Sequence, residues 1–438
     1  MITRRNFVTH GTAGAAALAF STDASTATSE TQGMFSVNPA VTSNPDAVFI
    51  MRTDVDSKFN AEAKVSVGRA FSQSVFVPSE NGVPQSYKIA LKANMLLGKE
   101  RDSFPEGYLM GANTDPNFIE GVIEGMKEIG VSQERFYLRD TSSTERELKG
   151  SGYRAMANRT GVNLLTTSNV EKSPEDCHWV DVPKAVIHKK IPYLWPFNAP
   201  ETFLLNIAKF KSHAMGLTLC CKNVQGMVAR PYQAYCGGLH GPRSKCEKNT
   251  LKFRYEKTVE KNHRRHEAKG IPRWDKPGRH YNCGVGMETW VARTIDNIAA
   301  SPMGLCVVEG IYGRDGSHEY GPHEPYERKR KSRGRAHDYM SNIIIFGMNP
   351  FHVDIIGHWL GGHEPGNFGL FHIARERKMS KYLDPNKIPL FSWVDGSAQE
   401  ARLDSFERTP LKSNYLVRNY DGQEEELYHL CNENYDYS

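Results

Sequence analysis

The chain has 438 residues, of which 39% are hydrophobic and 24% charged, with a formal net charge of +5 and eight cysteines. That length allows two or three lobes with ample core burial. No uninterrupted apolar run reaches the roughly 18 residues a bilayer requires, which argues against a stable membrane span.

The N-terminus reads Thr3-Arg4-Arg5-Asn6-Phe7, an adjacent arginine pair that matches the twin-arginine export pattern. Gly11–Phe20 is apolar but too short to cross a bilayer, and Ser25 and Ala27 suit cleavage before Thr28. Residues 1–30 are therefore expected to be a signal peptide handled by the twin-arginine machinery, leaving a periplasmic or secreted protein. That route carries folded cargo, often loaded with a cofactor, and so favours a bound metal or organic group without identifying it.

Further along, Lys88–Met95 reads as a strand. Asn113-Thr114-Asp115-Pro116 opens a helix, with Asp115 as N-cap and Pro116 at the first helical position. Loss of that cap is expected to cost about 1 kcal/mol. Phe118, Ile119, Val122, Ile123, Met126 and Ile129 form one apolar helical face, ended by Gly130. Arg135–Arg139 returns as a strand closing at Asp140, which makes a β-α-β unit and implies a parallel sheet. Similar strands are expected at Phe203–Phe210, Leu305–Tyr312 and Asn342–Gly347. Helices are expected at Glu288–Ala300 and Phe351–Leu360, the second stopped by Gly361-Gly362.

The expected fold class is α/β: a mostly parallel, doubly wound sheet with helices on both faces. Residues 31–240 and 286–400 would form its two parts, separated by a basic insertion at 241–285 and followed by a tail at 401–438. Residues 241–280 hold thirteen Lys/Arg against five Asp/Glu, and residues 327–335 hold six against one. Such segments can attract anionic partners. They interleave few aromatics, and with export this argues against nucleic acid. Solvated surface insertions are the simpler reading, with His263 and His266 facing solvent.

The densest motif runs from Lys209 to Val228. An apolar strand delivers Lys209, Lys211 and His213 to its carboxyl end, Gly216 permits a turn, and Lys222, Asn223 and Gly226 follow. Lysines gathered this way depress one another's pKa or hold a phosphate or carboxylate, and His213 can exchange a proton near neutral pH. The alternative is that these groups solvate a strand end and pair with acids.

These residues resemble the domain-of-unknown-function 362 family, with its Pro-Lys-x-Lys-Thr-His and Lys-Asn-x-x-Gly elements. Ala208 replaces the proline and Ser212 the threonine. Lys92-Ala93-Asn94, Thr114-Asp115-Pro116, Ser151-Gly152-Tyr153, Glu309-Gly310 and Gly347–Asp354 resemble further family elements in the same order. The resemblance implies a fold and a pocket but no reaction. A looser one is to lactate racemase, in which a histidine is followed by a lysine and a later histidine. It implies that His213 would be the acid/base, that Lys222 would carry a nickel-pincer nucleotide, and that His240 would ligate the metal. Here Gly216–Cys221 replaces the racemase's glycine-rich linker.

Outside the motif, His318, Glu319, His323 and Glu324 could supply metal ligands from a loop, or simply line an exposed turn. His352 and Asp354 flank a helix start and could cap it or reach the pocket. His358 and His363 lie where a histidine favours a helix dipole. The cysteines show no CxxC or ferredoxin-like run, which argues against an iron–sulfur cluster. Buried thiols or one or two disulfides fit them better.

Three functions follow as expectations. The first is a cofactor- or metal-dependent enzyme moving a proton or hydride on a small anionic substrate. His213 and Lys222 would be catalytic, and Lys92, Asn94, Lys209, Lys211, Asn223, Gly226 and Glu309 would bind substrate or cofactor. His240, His318 and His323 would be candidate metal ligands. The second is an exported anion-binding protein without catalysis. The third is a polysaccharide- or surface-binding protein that works through the basic segments.

Overall fold

A computed structural model describes residues 34–96, 105–213, 216–217, 219–230, 232, 256–272, 284–316, 320–322, 334–413 and 430–438. The predicted signal peptide therefore lies outside the described residues, as does most of both basic segments.

The strands in chain order are β1 (Phe35–Val37), β2 (Val48–Arg52), β3 (Phe76–Pro78), β4 (Lys88–Ala93), β5 (Phe136–Leu138), β6 (Asn163–Leu164) and β7 (Cys177–Asp181). There follow β8 (Lys190–Leu194), β9 (Thr202–His213), β10 (Gly216–Leu217), β11 (Met303–Arg314), β12 (Asp338–Gly347), β13 (Leu390–Val394) and β14 (Ser397–Glu400). The helices that matter here are α1 (Ala61–Val75), α2 (Pro116–Glu128), α3 (Tyr153–Thr160), α4 (Cys220–Asn223), α5 (Glu256–Ala268), α6 (Gly284–Ala299), α7 (Pro350–Leu360) and α8 (Gly369–Glu376).

One ten-stranded sheet runs β14-β13-β2-β12-β11-β9-β4-β5-β6, with β10 folded back on β9. From β11 to β6 every pairing is parallel. The β4-α2-β5 unit is the parallel crossover expected from the sequence, with Ile89 opposite Phe136. Strand β12 departs from the expected rhythm: it runs antiparallel to both β11 and β2. The sheet is thus mixed and mostly parallel.

Helices cover both faces. On one side α1, α2 and α3 bury Phe71, Phe118, Val122 and Met156 against Leu91, Leu205 and Val307. On the other, α4, α6, α7 and α8 bury Cys220, Trp290, Ile356 and Phe371 against Ala90, Ala208 and Ile345. In α2 the apolar stripe Phe118, Ile119, Val122, Ile123 and Met126 is fully buried, each side chain contributing about 1.5–3 kcal/mol. Helix α7 is buried along nearly its whole length, including His352, Asp354 and His358.

Helix α5, inside the basic insertion, is docked rather than solvated. His266, read from the sequence as solvent-facing, is 2% exposed and meets Glu288 of α6 at 2.8 Å. Glu376 of α8 takes Arg265 from the same helix and Lys269 just beyond its end. The charges that read as surface are in part the docking contacts, because α6 and α8 present carboxylates to them.

Candidate functional site

In a parallel sheet the carboxyl ends of the strands share one edge, and each loop beyond them delivers polar groups there. A cavity of about 40 Å³ sits at that edge, lined by Asn94, Leu96, Asp140, Thr141, Ser142, Lys211, Lys222, Asn223, Gln225 and Gly226. Asn94 follows β4, Asp140–Ser142 follow β5, and Lys211 lies near the end of β9. Lys222 and Asn223 come from α4, which is brought back by the β9–β10 reversal, where Gly216 adopts a φ of +95° and pairs with His213.

Asn223 holds the floor of the cavity together. Its Oδ1 accepts from Lys92 Nζ at 2.7 Å and from Asn94 Nδ2 at 2.8 Å. Its Nδ2 donates to the Lys92 carbonyl and to Asn206 Oδ1, both at 2.8 Å. Lys92 is fully committed too: its ammonium donates to Asp140 Oδ2, the Ala93 carbonyl and Asn223. Burial pushes the Lys92 pKa below the ordinary lysine value, and Asp140 opposes that shift. Lys92 therefore builds the cavity instead of reaching a ligand. Gly226 is required by the same pair, since a Cβ there would lie 2.4 Å from Asp140 Oδ2 and 2.7 Å from Lys92 Cε.

Lys211 and Lys222 differ in character from Lys92. Lys211 is 2% exposed, and its amine makes one hydrogen bond among the described residues, to the Ala112 carbonyl at 2.7 Å. Burial first, then the charges of Lys222 and Arg314, hold its pKa well below the ordinary value. Lys222 is half-buried at the cavity wall. Around the cavity stand three lysines and one carboxylate, Asp140, which Lys92 already occupies. The buried hydroxyl of Thr141 has no hydrogen-bond partner among the described residues, and neither does Gln225 Oε1. An amide flip at Gln225, consistent with its bond to Thr294 Oγ1, would leave an N–H donor unpaired in place of that oxygen. The arrangement is that of a small site with more lysines than carboxylates among the described residues.

Lys209 and Glu309 were expected in the same pocket. Both are fully buried, paired with each other at 2.7 Å, and neither lines the cavity. Glu309 also accepts from the Asp115 backbone N–H, and Lys209 Nζ lies 3.3 Å from the Tyr312 ring centroid. Asn94 bridges the two clusters, because its Oδ1 accepts from the Lys209 backbone N–H. His213 is 8% exposed at the end of β9 and is not among the cavity's lining residues. His240, His318 and His323 lie outside the described residues.

Asp354 neither caps α7 nor reaches the cavity. Asn349 is the cap, while the Asp354 carboxylate accepts from the backbone N–H groups of Cys220 and Cys221, both at 2.8 Å. His358 and His363 cannot serve the helix dipole as cations. Both are buried, and desolvation lowers their pKa values to about 3 and about 4. Cys220, Cys221 and Cys306 are buried free thiols, and Cys431 is buried as well.

Asp140, Thr141, Ser142 and Gln225 were missed as site residues. The signal for the first three was a polar run placed directly after a predicted strand, where ligands bind in such sheets. Among the described residues no group of three or more His, Cys, Asp or Glu is placed to hold a metal ion. The cavity they bound, about 40 Å³, is far below the roughly 300 Å³ or more of a site for a larger organic ligand. A nickel-pincer nucleotide does not fit it.

A family model described as Domain of unknown function (DUF362) matches residues 89–358. The matched stretch contains β4 to β12 and every residue lining the cavity. No curated protein and no solved structure matches the chain.

Proposed function

The chain belongs to the domain-of-unknown-function 362 family, and from that premise, which carries no reaction, we propose an exported enzyme that moves a proton on a small anionic substrate. One observation carries the reading: Lys211 and Lys222 line one small cavity, whose one carboxylate among the described residues is paired with Lys92. A carboxylate or phosphate oxygen entering it would meet the Lys222 ammonium and the Lys211 amine in a partly dehydrated setting, where such contacts are strong. The Lys211 amine, held below its ordinary pKa by burial and by Lys222, is the nearby group suited to proton chemistry. Export rests on the Arg4-Arg5 signal.

Replacing Lys222 with Met keeps the aliphatic stem and removes the charge. Calorimetric titration of the mature protein with inorganic phosphate and with pyruvate should show binding that falls at least about tenfold in Lys222→Met, the loss of one charged contact, with the melting temperature little changed. Undiminished binding by the variant would place the anion elsewhere. Binding without turnover of any carboxylate would return the protein to the alternative of an exported anion-binding protein.

A further inference from the structure

Resting on the anion reading above, we infer that the pocket takes a small 2-oxo acid and that the Lys211 amine forms an imine with its carbonyl carbon. The placement of three groups argues for it. Lys211 is buried at the cavity wall, with one hydrogen bond, to a backbone carbonyl, and with no carboxylate within ion-pair distance among the described residues. Lys92 is immobilised by Asp140, Asn223 and the Ala93 carbonyl, so it competes neither for the carbonyl nor for the proton. Lys222 lines the same cavity, where its charge would hold the carboxylate while the adjacent carbonyl meets Lys211. A 2-oxo acid is the smallest substrate that offers an anion and an electrophilic carbon one bond apart, which matches two lysines on one cavity of about 40 Å³.

The chemistry needs no further reagent. The Lys211 Nζ lone pair forms the C–N bond, and the carbonyl oxygen takes a proton to give a carbinolamine. The first proton comes from the attacking nitrogen; the hydroxyl then takes a second proton from solvent and leaves as water as the C=N bond forms, and the nitrogen retains one proton as an iminium. Thr141 lines the cavity, and its buried hydroxyl, without a hydrogen-bond partner among the described residues, would hydrogen-bond the departing oxygen. The iminium withdraws electrons from the neighbouring carbon and so acidifies its C–H bond, which is how an amine in this position would promote the proton transfer proposed above. Burial and the neighbouring cations shift Lys211 toward the unprotonated amine, the form in which a lysine acts as such a nucleophile. The charged groups that act on it are Lys222 from α4, Lys92 from β4, Arg314 from β11 and Asp140 beyond β5.

The test is reductive trapping. The mature protein is incubated at neutral pH with pyruvate and cyanoborohydride, then peptide-mapped by mass spectrometry, with acetate as the carbonyl-free control. The expected result is one reduced pyruvate adduct per chain, on Lys211, forming about tenfold faster than on exposed lysines for each pKa unit by which the amine is lowered. Lys190, whose side chain is 62% exposed, is the internal comparison. Lys211→Arg should abolish the adduct, but the wild-type map decides the question even if that variant folds poorly. Pyruvate binding seen by calorimetry without labelling of Lys211 overturns the imine and leaves the anion site standing. Absence of binding by both pyruvate and phosphate overturns both.

Discussion

Asp354 sits inside α7 with no cation within ion-pair distance among the described residues, and its two oxygens are satisfied by two backbone N–H groups. Burial raises its pKa from 3.8 to about 7. Between those values the folded chain binds a proton that the unfolded chain has released, so this group's contribution to stability is present at low pH and is lost as pH rises toward 7. In urea titrations, wild type should lose up to roughly 4 kcal/mol relative to Asp354→Asn between pH 4 and pH 7.5. A pH-independent difference would mean that Asp354 ionises normally in the fold. Gly226 carries a second residue-scale expectation. A methyl group there collides with both members of the Lys92–Asp140 pair, so Gly226→Ala should cost about 1–3 kcal/mol as overpacking strain and weaken phosphate binding. Unchanged unfolding and binding would show that the pair has room to move. The Lys-Asn-x-x-Gly element was visible in the sequence, but why it ends in glycine was not, because the atoms it must avoid come from residues 92 and 140.

At the scale of elements, Asp115 shows how a correct local reading can miss the energy. The sequence places it as the cap of α2, and its side chain does accept from the Asn117 N–H at 2.8 Å. It also binds Lys64 of α1 at 2.7 Å, with both side chains essentially inaccessible, and it accepts from the Tyr312 hydroxyl. Burial alone would raise its pKa, but Lys64 and Lys209 hold it below the ordinary carboxylate value. Removing it strands a buried ammonium, so Asp115→Ala should cost about 3–5 kcal/mol, well above the 1 kcal/mol expected of a cap. Adding Lys64→Met should recover much of that loss in denaturant titrations. A single-variant cost near 1 kcal/mol would show that Lys64 finds other partners. Helix α1 itself was not read from the sequence. It packs on α2 backbone to backbone, and a Cβ on Gly68 would lie 2.2 Å from the Phe118 carbonyl oxygen. A glycine in that role looks like a weak helix position until the partner helix is known.

For the whole molecule, the sheet edge and the Arg4-Arg5 pair lead to separate expectations. Changing Arg4-Arg5 to Lys-Lys should leave full-length precursor in the cytoplasm, seen by fractionation and immunoblotting, if the twin-arginine route is used. Normal processing of that variant would point to another route. The fold also extends past the family's matched region. Strands β2, β13 and β14 lie outside residues 89–358, yet they extend the same sheet beyond β12. The chain from residue 401 onward read as a tail, but part of it is anchored. His363 Nε2 meets the Leu411 carbonyl at 2.9 Å, and His363 Nδ1 accepts from the Cys431 N–H.

The sequence alone determined the β-α-β unit, the α2 face and its cap, and the strand that ends in Lys209, Lys211 and His213. Each of these is written in spacing along a short stretch of chain, where 3.6-residue periodicity, capping and strand length act locally. Only the tertiary structure decided that β12 runs antiparallel, that Lys209 and Glu309 neutralise each other inside the core, and that Lys211 and Lys222 share a cavity with the residues after β5. Those outcomes depend on which strand lies beside which, and on which charges burial forces into pairs, between residues as far apart in the chain as Lys92 and Asn223. Desolvation turns such neighbourhoods into chemistry, and it is a property of the packed molecule that no single stretch of sequence contains.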